Sequence, residues 1–511
     1  MSTIFYGALI SPISLTTYDA LPRALLAVSR ATGDIDWVER DVPPEALQHV
    51  LARHGLLADD VELVELKHGE FLMPGFIDTH IHAPQVPNIG SGQQHELLDW
   101  LAEVTFPMEA RFADVDFARR TYTSVVKRTL DYGSTTCCYY GTLHLEGTKV
   151  LADVVHGYGQ RAFVGKCNMD RNAPDYYVEP SPAASLAATA ALVAHIRALP
   201  PHPAAGDALV RPILTPRFAL SCTGELLAGL GALAAADPGL AIQTHISENA
   251  AEIAFTKALF PRGSLPGAAA NVTAGDDVDG EEETTYAGVY DAYGLLRHNT
   301  VLAHAVHLDA REVALIHARG AGVAHCPTSN FNLRSGCARV GMLLDAGVKV
   351  GLGTDVSGGF SPSMLAAVQH ASMCAKVVAL TAPAPPPAHT TFTDRQLPVP
   401  ALLHLATLGG AAVCALAHRV GSLAPGKAFD ALVVGVRTDA GNPAVWGVDL
   451  DRALGLRASG GEPGDEGGRG KSDVEELEGM LERFLFCGDD RNVRRVYVQG
   501  RLVGGKEHAA A

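Results

Sequence analysis

Five residues that can bind a metal ion each stand at or just after the end of a short apolar run: His80, His82, His245, His304 and Asp355. Neutral imidazoles and carboxylates suit zinc or iron, and a catalytic site uses about three or four protein ligands while leaving room for water. The pattern therefore indicates one metal-dependent active site assembled from distant parts of the chain.

The two histidines at 80 and 82 are the nearest pair in this set. A chain with 21 histidines in 511 residues has about one such pair by chance, so the context has to decide. The pair follows Phe71 to Ile77, which we interpret as a buried parallel strand opened by Pro74-Gly75. Side chains two residues apart on a strand share a face, so both imidazoles can reach one ion.

Glu248 follows His245 by three residues, at the start of a polar, helix-prone stretch. This spacing lets a carboxylate lie beside the ion without binding it, where it can take a proton from water and pass it to a substrate. We predict that Glu248 is the general acid and base. The alternative is a glutamate in the first turn of a helix, where the helix dipole favours it.

Two further residues have competing interpretations. A lone aspartate after a strand is usually a helix N-cap, but the neighbouring glycines and the need for a fourth ligand favour Asp355 as a metal ligand. His304 fits three roles: a further ligand, a donor outside the ligand set that stabilises the developing intermediate, and a core histidine. We favour the donor role.

The elements that must position these residues repeat along the middle of the chain. Between residues 74 and 358, short apolar runs alternate with longer Ala/Leu-rich stretches at helical spacing, as expected for repeated βα units. Eight parallel strands with intervening helices predict a closed (β/α)8 barrel, a TIM-like α/β fold whose active site lies at the C-terminal strand ends. The eight runs are Gly75–His82, Gly133–Tyr140, Arg161–Cys167, Leu209–Thr215, Leu240–Ser247, Thr300–His304, Gly322–Cys326 and Val348–Asp355.

The two ends of the chain have a different pattern. Strand-like segments occur at Leu25–Ser29, Val61–Leu66, Phe429–Val436 and Val496–Val503. Neither end has enough strand for a sheet of its own, so we predict a small β-sandwich domain built from both termini. The expected division is 1–72 and 418–511 for that domain and 73–417 for the catalytic barrel.

Two stretches of low apolar content, 266–283 and 459–473, are predicted to be mobile surface insertions, because they can bury little apolar surface against the entropy cost of ordering.

Composition narrows the class of protein. Forty basic and 56 acidic residues give a net charge of −16, which disfavours nucleic acid and anionic membranes as partners. We expect a small, nearly neutral substrate instead. The odd number of cysteines, nine, without disulfide-like spacing indicates a reducing compartment. Neither a secretory signal nor a run of about 18 apolar residues is evident, so we expect a cytoplasmic protein.

The motifs as a set resemble a known family. PGFIDTHIHAPQ, the spacing of His245 and Glu248, His304 and the GTD triplet at 353–355 are similar to the amidohydrolase superfamily of metal-dependent barrels. Five more segments resemble the guanine deaminases of that superfamily, in the same order: HELLDWLAEVTFPMEARF (95–112), RAFVGKCNMD (161–170), TPRFALSCT (215–223), CPTSNFNLRSG (326–336) and GKAFDALVV (426–434).

The resemblance implies hydrolysis of guanine to xanthine and ammonia. It implies one zinc per subunit, with iron as the alternative metal, bound by His80, His82, His245 and Asp355. Glu248 would then move protons, and Asp355 and His304 would support the tetrahedral intermediate. Some amidohydrolases carry a carboxylated strand lysine that bridges two metals, but Lys166 lies in a segment that resembles the mononuclear guanine deaminases.

The resemblance also implies the residues that recognise the substrate. An arginine suits a ring carbonyl, a glutamine both donates and accepts, and a phenylalanine covers an aromatic face. Without the resemblance, a surface ion pair for Arg217 and core packing for Phe218 are the simpler interpretations. The predicted substrate-binding set is His82, Gln85, Arg217, Phe218, His245, Glu248 and Asp355.

Two other functions stay open at this point. One is a related amidohydrolase that acts on another amino- or chloro-substituted heterocycle, and the other is a non-catalytic scaffold derived from the same barrel. The presence of every ligand position and of Glu248 argues against the scaffold. The resemblance further implies a homodimer.

Overall fold

The computed structural model describes residues 2–57, 61–201, 208–266, 284–386, 388–454 and 472–508. Its strands form two sheets, a parallel one of nine strands and a mixed one of eight. The two predicted insertions, 266–283 and 459–473, lie outside the described residues except for Pro266 and the pair Ser472-Asp473, where a helix begins.

The parallel sheet is the predicted barrel. Each strand pairs in parallel with the next one along the chain, and a two-residue strand, Cys167–Asn168, extends the third. Backbone hydrogen bonds from Asp355 N to His80 O (2.8 Å) and from His82 N to Val356 O (3.2 Å) join the last strand's end to the first strand. In order, the eight strands are Phe76–His82, Ser134–Tyr140, Arg161–Gly165, Val210–Pro216, Ala241–Ile246, Thr300–His304, Gly322–His325 and Lys349–Leu352.

The barrel strands are buried on both faces, which explains their almost continuous apolar sequences. Inside the barrel, Ile77, Cys138, Phe163 and Ile213 form one apolar cluster with the helix Gly410–Val413 and the residues after it. The helices pack around the outside, where their apolar faces form the largest core cluster.

Side-chain caps start several of the barrel helices. Asp114, Ser181 and Thr223 each accept backbone N–H bonds in the first turn, which satisfies donors that the helix itself leaves free. The π-helical segments Leu101–Thr105 and Leu405–Gly409 continue two short helices. The α-helices are Leu47–Arg53, Leu97–Trp100, Phe106–Ala110, Val115–Asp131, Leu145–Tyr158, Pro182–Arg197, Gly224–Ala236, Ala250–Leu259, Tyr286–Ala292, Ala310–Arg319, Pro327–Asn332, Val340–Asp345, Met364–Thr381, Val399–His404, Gly410–Val413, Val448–Ala453 and Asp473–Cys487.

The mixed sheet is built from both ends of the chain, as predicted. The two ends meet where Glu70–Pro74 pairs antiparallel with Ala431–Gly435. All of its strands are hydrogen-bonded into one connected sheet. They are Ser2–Pro12, Tyr18–Ser29, Ile35–Glu39, Val61–Glu65, Glu70–Pro74, Ala431–Gly435, Val493–Val498 and Arg501–Gly504.

Two strand predictions were wrong in detail. The run Phe71 to Ile77 is divided at Gly75, so that its first part belongs to the mixed sheet and its second to the barrel. Gly75 permits this junction because a Cβ there would lie 2.2 Å from the Thr135 side chain. The segment Val496–Val503 is a hairpin, since Gln499 (φ 47°) and Gly500 (φ 74°) form a tight turn between two strands.

One helix departs from the expectation that no segment could span a membrane. Met364–Thr381 is long and apolar enough to do so by length and composition. Met364, Leu365, Ala367, Val368 and Ala371 are buried, and the helix contacts the first and last barrel strands. In this structure it therefore serves as a wall helix of the barrel.

Candidate active site

The predicted metal-binding residues meet at the C-terminal end of the barrel. His80 and His82 end the first strand, His245 lies near the end of the fifth and His304 ends the sixth. Asp355 follows the eighth strand by three residues. Ser247 (φ 48°), His304 (φ 75°) and Asp355 (φ 45°) adopt left-handed backbone conformations, which cost energy for residues other than glycine and are concentrated at functional sites.

The side-chain atoms that could bind an ion lie close together and are buried. One ligand atom each from His80, His245, His304 and Asp355 fall within 4.8 Å of one another. His82 belongs to the same cluster, since its Nε2 lies 3.2 Å from His245 Nε2 and 3.3 Å from Asp355 Oδ1. His80 Nε2 lies 3.0 Å from the same Asp355 oxygen. The five residues are suited to a metal ion.

Hydrogen bonds fix which ring nitrogens face the centre. His245 Nδ1 donates to the backbone oxygen of Arg217 (2.5 Å), so its Nε2 carries a lone pair. His304 Nδ1 lies 2.9 Å from Asn330 Oδ1, and its buried Nε2 has no hydrogen-bond partner among the described residues. Buried nitrogens that converge without partners of their own are the arrangement that a bound cation would satisfy.

The protonation states also fit a cation. Burial lowers the pKa of His80, lowers that of His82 to about 4 and holds that of His245 well below its usual value, so that these imidazoles are neutral. Burial by itself raises the pKa of Asp355. The adjacent His80 ring and the hydrogen bonds from His80 and His82 lower it by more, so that the pKa lies well below the ordinary value. Neutral imidazoles and an ionised carboxylate are the forms that bind metals.

Residues outside the cluster hold the first and eighth strand ends together. Asp78 Oδ1 accepts from Thr354 N (3.0 Å) and His80 N (3.2 Å), and its Oδ2 accepts from Thr354 Oγ1 (2.6 Å). Gly353 allows the close approach, because a Cβ there would lie 2.9 Å from His80 Cβ. These contacts fix Asp355 relative to His80. Sequence reasoning did not single out Asp78, although it lies two residues before His80.

Glu248 lies beside the cluster. Its Oε2 is 3.4 Å from His304 Nε2, and its Oε1 accepts from Ser335 Oγ (3.2 Å). Burial raises its pKa well above the ordinary value, and the nearby carboxylates of Asp355 and Glu252 raise it further. Glu252 is itself fixed, since it accepts from Glu248 N and Tyr286 Oη. Glu248 can therefore hold a proton near neutral pH.

A narrow cavity of about 30 Å³ adjoins these residues. A volume of this size holds about one water, whereas about 150 Å³ accommodates benzene, so the cavity must widen before a purine can enter. Leu97, Leu98, Trp100 and Leu101 cover one side of it. The whole predicted substrate-binding set lines it: His82, Gln85, Arg217, Phe218, His245, Glu248 and Asp355.

A larger cavity of about 500 Å³ opens at the other end of the barrel, beside the N-terminal ends of the strands that start at Val210 and Ala241. None of the clustered site residues lines it. In parallel barrels the chemistry takes place at the C-terminal strand ends, so the smaller cavity is the candidate active site.

The predicted recognition residues are buried, and one of their partners was not foreseen. Arg217 forms a two-pronged ion pair with Glu109, and Gln85 Nε2 donates to the same carboxylate (2.7 Å). The surface ion pair considered for Arg217 is therefore wrong. The Phe218 ring lies 5.8 Å from the His245 ring, nearly perpendicular to it. A buried, charged arginine requires an anionic partner, and this requirement is the one signal that could have indicated Glu109 in advance.

Lys166 lies apart from this cluster of site residues. Its Nζ donates to Glu179 Oε1 (2.5 Å) and to the backbone oxygen of Cys167 (2.7 Å), and its side chain is fully buried. The amine is thus engaged in a buried ion pair.

Comparisons with known proteins show the family to which this fold belongs. Residues 71–503 match the amidohydrolase family. A probable guanine deaminase from Schizosaccharomyces pombe is 40% identical over 99% of this chain and 84% of its own length. The guanine deaminase of Homo sapiens is 36% identical over 98% of this chain and 97% of its own. A crystal structure of guanine deaminase from C. acetobutylicum, with guanine in its active site, superimposes with a TM-score of 0.78 at 30% identity, covering 98% of this chain and 100% of that one.

Proposed function

This chain belongs to the amidohydrolase family, and we infer that it is a guanine deaminase, a hydrolase that converts guanine and water to xanthine and ammonia. The observation that carries the inference is the cavity at the barrel mouth. There a buried cluster of imidazoles and a carboxylate adjoins Glu248, Gln85 and Arg217. The same cavity thus offers groups for the reaction and groups for reading a purine edge.

We assign the metal to His80, His82, His245 and Asp355, with His304 as a donor beside them. The convergent nitrogens and the ionised Asp355 support this assignment. A bound zinc ion would supply Lewis acidity that makes water nucleophilic near neutral pH. The ion pair of Lys166 with Glu179 supports a single metal per chain, because a carboxylated lysine could not remain in that pair.

Glu248 is the group that moves the protons. With its raised pKa, it can take a proton from the attacking water and deliver it to N3 of guanine. N3 is adjacent to the carbon that bears the amino group, and it is the neighbouring ring nitrogen without a hydrogen. Asp355 and His304 would stabilise the tetrahedral intermediate. The remaining proton of the added hydroxyl then passes to the amine, which leaves as ammonia, and the added oxygen becomes the new ring carbonyl of xanthine.

Recognition rests on Arg217, Gln85 and Phe218. The guanidinium faces the ring carbonyl with fixed N–H donors, the amide of Gln85 reads the adjacent edge, and the Phe218 ring covers the face of the purine. The burial of all three in one cavity supports these roles.

A substrate panel tests the function directly. Purified protein should release ammonia from guanine at least about 100-fold faster than from adenine, cytosine or a chlorotriazine, because only guanine presents the matching carbonyl and amino groups. If guanine is ignored while another ring is hydrolysed, the chain is a related amidohydrolase. If no ring is hydrolysed by metal-loaded protein, the scaffold hypothesis gains instead.

The role of Arg217 gives a second prediction. Arg217→Ala should lower kcat/KM for guanine by roughly 10²- to 10⁴-fold, because a site built to hydrogen-bond a polar group depends on that bond. It should lower kcat/KM much less for 2,6-diaminopurine, which carries an amine in place of the carbonyl. Arg211→Ala is the matched control, since Arg211 lies near the start of the strand Val210–Pro216 and Arg217 directly follows the other end of that strand. An unchanged ratio between the two purines would contradict this role for Arg217.

The net charge and one exposed apolar helix face bear on the biological setting. We propose a cytoplasmic homodimer that contacts neither nucleic acid nor membrane, consistent with the net charge of −16. Met373, Val377 and Leu380 are exposed apolar side chains on one helix and support a contact between copies. We also propose that the catalytic unit spans 73–417, with 1–72 and 418–511 forming the β domain.

A further inference from the structure

Glu109 is the centre of a buried hydrogen-bond network next to the cavity. It lies on the short helix Phe106–Ala110 and has no exposed surface. Its Oε2 accepts from Arg217 Nη1 (2.6 Å) and Tyr177 Oη (2.6 Å). Its Oε1 accepts from Gln85 Nε2 (2.7 Å) and Arg217 Nη2 (3.1 Å). One carboxylate thus contacts both polar residues that are assigned to recognition.

The orientation of the Gln85 amide follows from this network. Its Nε2 donates to Glu109, and its Oε1 accepts from Ser357 N (3.1 Å). Because the amide group is held at both ends, its nitrogen and oxygen cannot exchange places without losing two hydrogen bonds. Each atom still has one unused hydrogen-bonding position for a ligand.

The guanidinium of Arg217 is held in the same way. Two of its five N–H groups are bound to Glu109, and its Nε has no hydrogen-bond partner among the described residues. Its backbone oxygen accepts from His245 Nδ1, so a single residue touches both the metal cluster and the recognition side of the cavity.

A buried guanidinium needs a fixed anion. Glu109 provides it, and its pKa stays low because Arg217 outweighs the effect of burial. Glu248 and Asp355 line the same cavity and would be alternative partners for an unpaired arginine. Pairing with Glu109 keeps Arg217 away from the carboxylates that perform the chemistry.

We propose that Glu109 is a positioning residue for substrate recognition: it fixes Arg217 and Gln85 so that together they fit the oxo-purine edge of guanine. This inference rests on the proposed deaminase function. Glu109 contacts the reaction only through those two side chains, so its loss should affect the binding of guanine more than the chemical step.

Glu109→Gln tests this role, because it keeps the shape of the side chain and removes the charge. KM for guanine should rise by about 10- to 100-fold, the value of one charge-assisted hydrogen bond, while kcat per metal-loaded chain changes less. A purely structural defect would lower the active fraction and leave KM unchanged. A variant with normal KM and reduced kcat would therefore overturn the proposal.

A double-mutant cycle shows whether Glu109 acts through Arg217. In the Arg217→Ala background, Glu109→Gln should cause a smaller loss of kcat/KM for guanine than in the unaltered protein, because only its contact with Gln85 remains to be altered, and it should raise the melting temperature because it removes an unpaired buried carboxylate. Additive losses of kcat/KM would show that Glu109 acts independently of Arg217, which contradicts the proposal.

Two further variants guard against loss of folding. Glu109→Asp keeps the charge but shortens the reach to its partners, so KM should still rise while the melting temperature falls less than in Glu109→Gln. Tyr177→Phe removes one neutral donor to Glu109 and should raise KM at most about five-fold. If Tyr177→Phe matches Glu109→Gln, general packing explains the effect and the proposal fails. Failure of the unaltered protein to deaminate guanine would instead refute the underlying function.

Discussion

A Glu248→Gln variant should deaminate guanine about 10²- to 10⁴-fold more slowly than the unaltered protein, with its metal content unchanged. Glutamine has nearly the same shape and can still accept from Ser335 Oγ, which lies 3.2 Å from Glu248 Oε1. It cannot take a proton from water. Since Glu248 is not in the assigned ligand set, the metal should remain bound.

The raised pKa of Glu248 explains why the loss should fall on proton transfer. Burial, then Asp355 and Glu252, raise its pKa well above the ordinary range. A carboxylate with such a pKa is a stronger base than an exposed one and, once protonated, a usable acid near neutral pH. The sequence spacing predicted this role, and the raised pKa supports it.

The measurement is xanthine formation and metal content on the same purified sample. Glu252→Gln is the matched control, because Glu252 is a buried glutamate that lines the same cavity but is engaged by Glu248 N and Tyr286 Oη. We expect it to keep more activity than Glu248→Gln. If Glu248→Gln retains most of the activity, another group moves the protons and the proposed mechanism is wrong.

The site residues that could be predicted are those whose sequence neighbours indicate where they lie in the fold. His80, His82, His245 and His304 lie at strand ends, and a parallel barrel gathers those ends at one face whatever the lengths of the connections. Apolar runs located all eight strands to within a few residues. The alternation of strand and reactive residue was therefore sufficient to predict the cluster.

Other features of the site and the fold depend on contacts between residues that are distant in sequence, and such contacts produce no local sequence pattern. Glu109 and Arg217 are 108 residues apart, and a glutamate on a five-residue helix has the pattern of an exposed residue. The split of the run Phe71 to Ile77 between two sheets depends on Gly75 approaching Thr135, which no periodicity records. In the sequence, Leu97 and Trp100 likewise have the pattern of ordinary core residues. The structure shows that they line the cavity.

Removing the metal should abolish guanine hydrolysis, and one equivalent of Zn²⁺ per chain should restore it. The lone pair of His245 Nε2 faces His82 Nε2 at 3.2 Å, and Asp355 Oδ1 lies 3.0 Å from His80 Nε2 and 3.3 Å from His82 Nε2, an arrangement that a bound cation would stabilise. A ligand that binds only the folded state stabilises it by about 4 kcal/mol at 1,000 times its dissociation constant, so the apo protein should also melt at a lower temperature.

A matched pair of histidine variants separates metal binding from general loss of a buried ring. His80 and His325 are both fully buried on barrel strands, and the His80 ring lies 3.0 Å from Asp355, whereas the ring nitrogens of His325 have no hydrogen-bond partner among the described residues. Only His80 belongs to the cluster. His80→Ala should weaken metal binding by at least about 100-fold, whereas His325→Ala should cost stability through its cavity and keep one metal per chain.

Metal content measured against restored activity decides the stoichiometry. Activity should rise linearly with added Zn²⁺ and reach its plateau at one equivalent, because Lys166 is committed to Glu179 and offers no bridge to a second ion. A plateau at two equivalents would contradict the single-metal assignment and would require Lys166 to leave its ion pair. Equal metal loss in His80→Ala and His325→Ala would show that the cluster at the barrel mouth is not where the ion binds.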